Sequence, residues 1–230
     1  EDVVAGDLVL YNNQPGTVWG PEGEFVSAPR LDDLACVFAC TEGFLTAQER
    51  DMVPVLCVFD NEEIGSETKQ GAASVFLPET LAAISEALGL SAADHRALLA
   101  DSMMLSCDNG HARHPNHPEL ADTNEAPVPN GGVVVKHSPY ATDGVSAAVF
   151  TELCRRAEVP VQHYANRPDQ MGGATLGNIA DTKLPIPTVD IGMAQLAMHS
   201  CFETMGSRDV EAFVRAVRAC YESSLRFTPE

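Results

Sequence analysis

Basic residues are scarce in this chain: 14 Lys and Arg stand against 33 Asp and Glu, for a formal net charge of −19. Such a surface repels nucleic-acid phosphates and anionic headgroups, which argues against nucleic acid and membranes as partners. The acidity serves solubility or steers a cationic substrate, and charge alone does not choose between them. Apolar runs of membrane-spanning length are lacking, because the longest strings are cut by charge or by Gly and Pro, and no stretch has the plan of a signal peptide. A soluble, cytoplasmic protein is the expectation. Disulfide and zinc-knuckle spacings are missing too. The seven cysteines are odd in number, and Cys36, Cys40, Cys57, Cys154 and Cys220 fall within apolar or helical stretches, as reduced thiols do. No internal repeat or low-complexity segment interrupts the chain. Residue 1 is Glu rather than Met, which reads as the start of a processed or excised piece.

What is present is enough apolar material, 45% of 230 residues, to bury the core of one main domain. Val3 to Tyr11 has strand composition and is followed by an Asn/Pro/Gly turn and a Gly/Pro/Glu stretch ending at Arg30. Helical spacing begins at Leu31 and runs to about Gly43. It recurs over Leu81 to Leu88, His95 to Leu99, Thr142 to Arg156 (capped by Thr142 or Asp143) and Val210 to Leu225. Strands are expected at Val53 to Phe59, Met103 to Cys107, Val133 to Lys136, Val159 to Tyr164 and Pro187 to Ile191. This alternation predicts an α/β fold of three layers, a mixed and mostly parallel sheet between helices.

Two of these strands end on acids: Val53 to Phe59 runs into Asp60-Asn61-Glu62-Glu63, and Met103 to Cys107 into Asp108. In open α/β sheets the ligand crevice lies outside the carboxyl ends of the strands. Carboxylates converging there repel one another and cost several kcal/mol each if left unpaired. Asp32, Glu62, Glu63 and Asp108 together match the charge of two divalent cations, and His199 offers a nitrogen suited to zinc or cobalt. A solvated turn after a strand is the competing reading of Asn61-Glu62-Glu63.

Arg30-Leu31-Asp32-Asp33, Asp60 to Ser66 (DNEEIGS), Ser106 to Asn116 (SCDNGHARHPN), Asn130-Gly131-Gly132, and Val189-Asp190-Ile191-Gly192 followed by Met198-His199-Ser200 resemble, in order, the successive signatures of the aspartyl aminopeptidase family. The likeness covers the chain from about residue 24. It implies a metallo-exopeptidase fold that removes N-terminal residues, Asp or Glu among them, from peptides with a metal-activated water. Two divalent ions are implied, zinc first, with cobalt or manganese as alternatives. Carried over by position, Asp32 bridges both ions, Glu63 and His199 complete one, Asp108 belongs to the other, and Glu62 is the general base. The resemblance further implies that residues 1–26 are the tail of an oligomerisation domain and 27–230 the catalytic domain. It implies too that an N-terminal segment carrying a further histidine ligand is missing, and that the full-length enzyme is a homo-oligomer.

Departures from the family pattern are Asp33 in place of Asn, Phe202 in place of Arg, and a shortened loop between Lys136 and Tyr140. Lys136 is a candidate to meet an acidic substrate side chain, or an ordinary strand-end lysine. The rivals are a catalytically incomplete fragment or assembly subunit holding at most one metal at Asp32, Glu63 and His199, and a metal-free hydrolase with paired carboxylates. Pro115 and Pro118 prevent one helix from presenting His111, His114 and His117 together, so these read as loop residues, with His111 supporting Asp108. Residues 171–177 (MGGATLG) lack a phosphate-loop spacing and read as a tight loop that approaches a peptide. Asp190 reads as a structural acid, and Cys107 as inert packing rather than a nucleophile.

Overall fold

A computed structural model describes residues 4–48, 52–137, 139–170 and 172–224. Its central sheet contains β3 (Met104–Cys107), β5 (Val133–Lys136), β6 (Val161–Tyr164) and β7 (Thr188–Gly192). The order is β3-β7-β5-β6, with β3 and β7 parallel, β7 and β5 antiparallel, and β5 and β6 parallel. Val133, Val134 and Val135 are wholly buried. Val133 and Val135 face one core cluster and Val134 another, as the period of two requires for a strand covered on both faces.

One face is covered by α1 (Leu31–Thr46), α4 (Gly144–Arg156) and α6 (Ser207–Tyr221), whose Ala39, Phe150 and Phe213 reach the main core. The other carries α5 (Leu176–Asp181), with α2 (Phe76–Ala87) and α3 (Ala92–Ala100) joined to it through Leu99, Leu184 and Ile186. The expected layered α/β architecture is present, with a mixed sheet. The helix expected from Thr142 is capped by Asp143, which accepts from the Val145 and Ser146 N–H groups. Leu225, the expected end of the last helix, and Val3 lie outside the described residues.

A second sheet, unforeseen in the sequence, is built from very short strands. These are β1 (Thr17–Trp19), β2 (Phe25–Ala28), β4 (Gly110–His111), β8 (Ala194–Leu196) and β9 (Glu203–Gly206), in the order β1-β2-β9-β8-β4. Strands of two to four residues leave no readable alternation. The first two form a hairpin inside the stretch read as loop, and β2 pairs with β9.

Two expected strands are corrected. Val4 to Tyr11 has no ladder partner, and Leu8 and Leu10 lie fully in solvent. Val53 to Phe59 is likewise no strand, with Val53, Val55 and Val58 exposed. Strand composition describes a residue's fit to a pleated surface, and the ladder itself needs a neighbour; the central sheet stops at β3 without reaching this run.

α1 and α6 pack closely at Gly43, where a Cβ would lie 2.8 Å from Val217 Cγ1 and 3.2 Å from the Val214 carbonyl oxygen. Gly43→Ala is therefore expected to destabilise the fold by about 1–3 kcal/mol through overpacking, against the ~1 kcal/mol that Ala gains in a helix. Urea denaturation measures this; an unchanged or raised midpoint would mean that the two helices part without cost.

Candidate metal centre

The acids gather at the ends of elements. Asp32 stands at the start of α1, where residues 32 and 33 are not yet helical and the peptide between them is cis. Glu62 and Glu63 open a short 3-10 turn after the 53–59 run, Asp108 follows β3, and His199 lies between β8 and β9. Three of these segments use left-handed backbone at non-glycine residues: Arg30 (φ 57°), Asn61 (φ 61°) and His199 itself (φ 64°). Each costs of order 1–3 kcal/mol, and such cost concentrates where side chains must be aimed.

His199 Nε2 lies 3.1 Å from Asp32 Oδ2 and 3.1 Å from Glu63 Oε2. Ligand atoms of Asp32, Glu63 and His199 converge within one ion's reach, and those of Asp32, Asp33 and Asp108 form an adjoining group. Asp32 is common to both. Its Oδ1 is buried with no hydrogen-bond partner among the described residues, an expensive state for a carboxylate oxygen unless a cation occupies that direction. Two carboxylates with an imidazole, beside an all-carboxylate group, are donors that fit divalent ions, zinc in particular.

The electrostatics carry the same signature. Burial, then the charges of Asp108 and Glu63, push Asp32 up to about 9. Burial and Asp108, then Glu63, raise Glu62 to about 7, with Lys136 and His199 opposing. Glu62 belongs to neither ligand group yet feels the charges of both. Burial and Asp108 hold Asp33 well above the usual carboxylate range. Protonated, Asp33 both donates and accepts hydrogen bonds; its Oδ1 accepts the Asn109 N–H at 3.2 Å.

Two supporting residues escaped the sequence reading, and a third, Lys136, was read without its partner. Glu203, 2% exposed, accepts the Asp32 N–H on Oε2 at 2.9 Å and the His199 N–H on Oε1 at 2.7 Å, so one carboxylate ties two ligand backbones together. Its signal was faint: one acid opening the otherwise uncharged run Glu203-Thr204-Met205-Gly206. Asn109 donates through Nδ2 to the Leu31 carbonyl and to Gln195 Oε1, fastening the start of α1 to β8. Lys136 is not an exposed strand-end lysine, for its side chain is 1% exposed and its Nζ lies 3.8 Å from Asp108 Oδ2. Burial would lower its pKa, but Asp108, Asp190 and the Tyr140 hydroxyl outweigh this and raise it.

A metal held by Asp32 and His199 would be sensitive to Glu203, which sets both backbones. Glu203→Ala is expected to weaken zinc binding by about 10–100-fold, with Glu203→Gln between it and wild type. Competition against a chromophoric chelator measures it; unchanged affinity would mean that Asp32 and His199 hold their places unaided.

Other candidates fall outside the centre. The His114 and His117 rings lie 5.4 Å apart, tilted by 39°, and His117 pairs with Glu119. His111 joins neither ligand group, though burial and the His199 charge lower its pKa and Asp108 works to raise it. Gly177 is not in a peptide-facing loop but in α5, where a Cβ would meet Ser106 Oγ at 2.6 Å. Asp190, completely buried, accepts from Ser106 and Thr175 hydroxyls and the Ala141 N–H, as a structural acid does.

The chain is 40% identical over 227 residues to the probable M18 family aminopeptidase 2 of Mycobacterium leprae, covering 97% of this chain and 53% of that protein. Among solved structures, yeast aminopeptidase 1 superposes with a TM-score of 0.82 at 33% identity, over 92% of this chain and 49% of its own. The S. cerevisiae aminopeptidase described as a dodecamer gives 0.78 at 32% identity, over 91% and 48%. The chain thus spans about half the length of the relatives it matches. The sequence model described as Aminopeptidase I zinc metalloprotease (M18) matches residues 1–221, and the chain belongs to that family.

Proposed function

We propose that this chain is the catalytic portion of a cytoplasmic, homo-oligomeric aminopeptidase that removes N-terminal residues, Asp and Glu among them, from peptides using two divalent ions, zinc by preference. Residues 27–230 form that catalytic portion and 1–26 the tail of an oligomerisation domain. The observation that carries this reading is the meeting of Asp32, Glu63 and His199, whose Nε2 lies 3.1 Å from Asp32 Oδ2 and from Glu63 Oε2, while Asp32 Oδ1 is buried without a hydrogen-bond partner among the described residues. The yeast relative described as a dodecamer supports the oligomer. The lack, among the described residues, of a helix long and apolar enough to cross a membrane is compatible with a cytoplasmic site.

Asp32 would be shared between the two ions, with Glu63 and His199 helping to hold the first and Asp108 the second. When bound, the ions supply Lewis acidity, acidifying the attacking water and polarising the scissile carbonyl. Glu62, raised to about 7, takes the proton from that water and delivers it to the leaving amine. Glu203 and Asn109 hold the ligand-bearing segments in register.

A one-metal reading draws support from Lys136, whose ammonium at 3.8 Å already offers Asp108 a cation. Metal content per chain after zinc reconstitution, with hydrolysis of N-terminal Asp, Glu and Leu substrates, separates the two. Two ions with turnover support the two-metal aminopeptidase. One ion without turnover supports an incomplete centre, and turnover that survives chelation would support paired carboxylates acting without metal.

A further inference from the structure

In the central sheet β6 pairs with β5, and its His163 stands opposite Val135. The ladder continues one residue past Lys136, where the His137 N–H bonds to the Tyr164 carbonyl at 2.9 Å. Side chains alternate along a strand, so His137 and His163 share the face of Val133, Val135 and Val161, which pack in the main core. The Lys136 side chain turns the other way, to Asp108. At the carboxyl end of the two strands the imidazoles meet: His137 Nε2 lies 2.9 Å from His163 Nδ1, with the rings 5.1 Å apart and tilted by 32°. Both residues are half-buried, and neither joins a ligand group of the acid centre. Burial and the His163 charge lower the pKa of His137, with Glu125 opposing, so His137 rests at neutral pH as the uncharged imidazole that metals require.

We propose that His137 and His163 form a second metal site, outside the acid centre, which takes a divalent ion of right-angled coordination, copper(II) or nickel(II), in preference to zinc. Imidazole nitrogens bind such ions at about 2.0–2.1 Å, so two at a right angle stand about 2.9 Å apart and two at the tetrahedral angle about 3.3–3.4 Å. The observed 2.9 Å matches the right angle. That is the geometry of copper(II) and nickel(II), and copper(II) binds nitrogen donors most strongly of the series. As a hydrogen-bonded pair, one facing nitrogen carries a hydrogen and donates it to the other. Metal binding moves that hydrogen through solvent to the second nitrogen of the same ring and turns both lone pairs to one point, so a neutral pair releases no proton. Water completes the coordination, with Glu125 within electrostatic reach. Each imidazole belongs to a different strand segment, so the ion ties β6 to the end of β5. The inference stands on these two residues and does not require the metallopeptidase reading to hold.

The test adds copper(II) to the chain carrying Cys201→Ser, which removes an exposed thiol able to reduce the ion, and records the electron paramagnetic resonance of the bound copper. The ligand groups of the acid centre contain one imidazole, His199, so copper there couples to one nitrogen, whereas at the proposed site it couples to two. The expected result is a two-nitrogen spectrum that is lost in His137→Gln and in His163→Gln, with the circular dichroism of both variants unchanged. A second measurement needs neither variant: nickel(II) should shield His137 and His163 of the chain from diethyl pyrocarbonate, read by peptide mass mapping. The proposal is overturned by copper coupled to one nitrogen only, or by a two-nitrogen spectrum that survives both substitutions, which would place the ion at His114 and His117. It is also overturned if nickel(II) leaves the labelling of both residues unchanged, which would make the pair a hydrogen bond and nothing more, or if zinc binds the pair more tightly than copper(II). Failure of the metallopeptidase reading would appear as absent zinc or turnover at the acid centre and would leave the two-nitrogen spectrum untouched.

Discussion

Glu62→Gln is expected to keep the zinc content of the chain unchanged while lowering peptide hydrolysis by about 10²–10⁴-fold, the usual contribution of a positioned general base. The ligand groups contain Asp32, Asp33, Glu63, Asp108 and His199 but not Glu62, so the amide removes a proton acceptor without removing a ligand. Glu62 is also the acid whose environment suits the task. Burial with the Asp108 and Glu63 charges brings it to about 7, where a base is both available and strong at neutral pH. The ionised carboxylate is the active form, so the wild-type rate should rise with pH through the neutral range, and the residual rate of the variant should lose that limb. Elemental analysis beside a pH–rate profile decides it. Unchanged turnover in the variant would remove Glu62 from the mechanism, and loss of zinc would make it a ligand.

Residues whose environment is local were legible in the sequence. Val133 to Lys136 forms its strand because buried β-branched residues suit a pleated, covered surface, and Asp143 caps α4 by bonding two N–H groups within three residues. Asp108 was legible for a related reason, since it follows the β3 run directly, whereas Glu62-Glu63 follow, after Asp60-Asn61, a run that is no strand, and Asp32 and His199 took their roles from the resemblance. Glu203 and Lys136 were not legible, because their meaning lies in partners far along the chain. Glu203 meets Asp32 across 171 positions, and Lys136 faces Asp108 only because β5 and β3 flank β7. The Val53 to Phe59 run failed in the opposite way: its composition describes a strand, but a strand exists only where another lies beside it.

With metal removed, the melting temperature is expected to fall as pH is raised from 6.5 to 8.5, and added zinc should restore it by more at the upper end than at the lower. Asp32 is held up at about 9 and Glu62 at about 7 against ordinary values of 3.8 and 4.5, and Asp33 is raised as well. An acid raised in this way binds more protons folded than unfolded. Its stabilising contribution is complete below the unfolded pKa and is lost as pH climbs through the folded value. His111 and His137 are lowered from 6.5 by burial and act in the opposite sense, but their window closes near the bottom of this range. Acids held low by exposed hydrogen bonds, such as Asp143 and Asp94, titrate well below it. Zinc reverses the trend because it binds the deprotonated ligands, and at a hundredfold excess over Kd it contributes about 2.7 kcal/mol by mass action. Asp32→Asn removes one of these titrating groups and the proposed shared ligand, so it should reduce the metal-free slope and lose the zinc response together. A slope that flattens while the zinc response persists would place the ion elsewhere, and a melting temperature indifferent to chelator and zinc throughout would mean that these acids pack together without building a metal site.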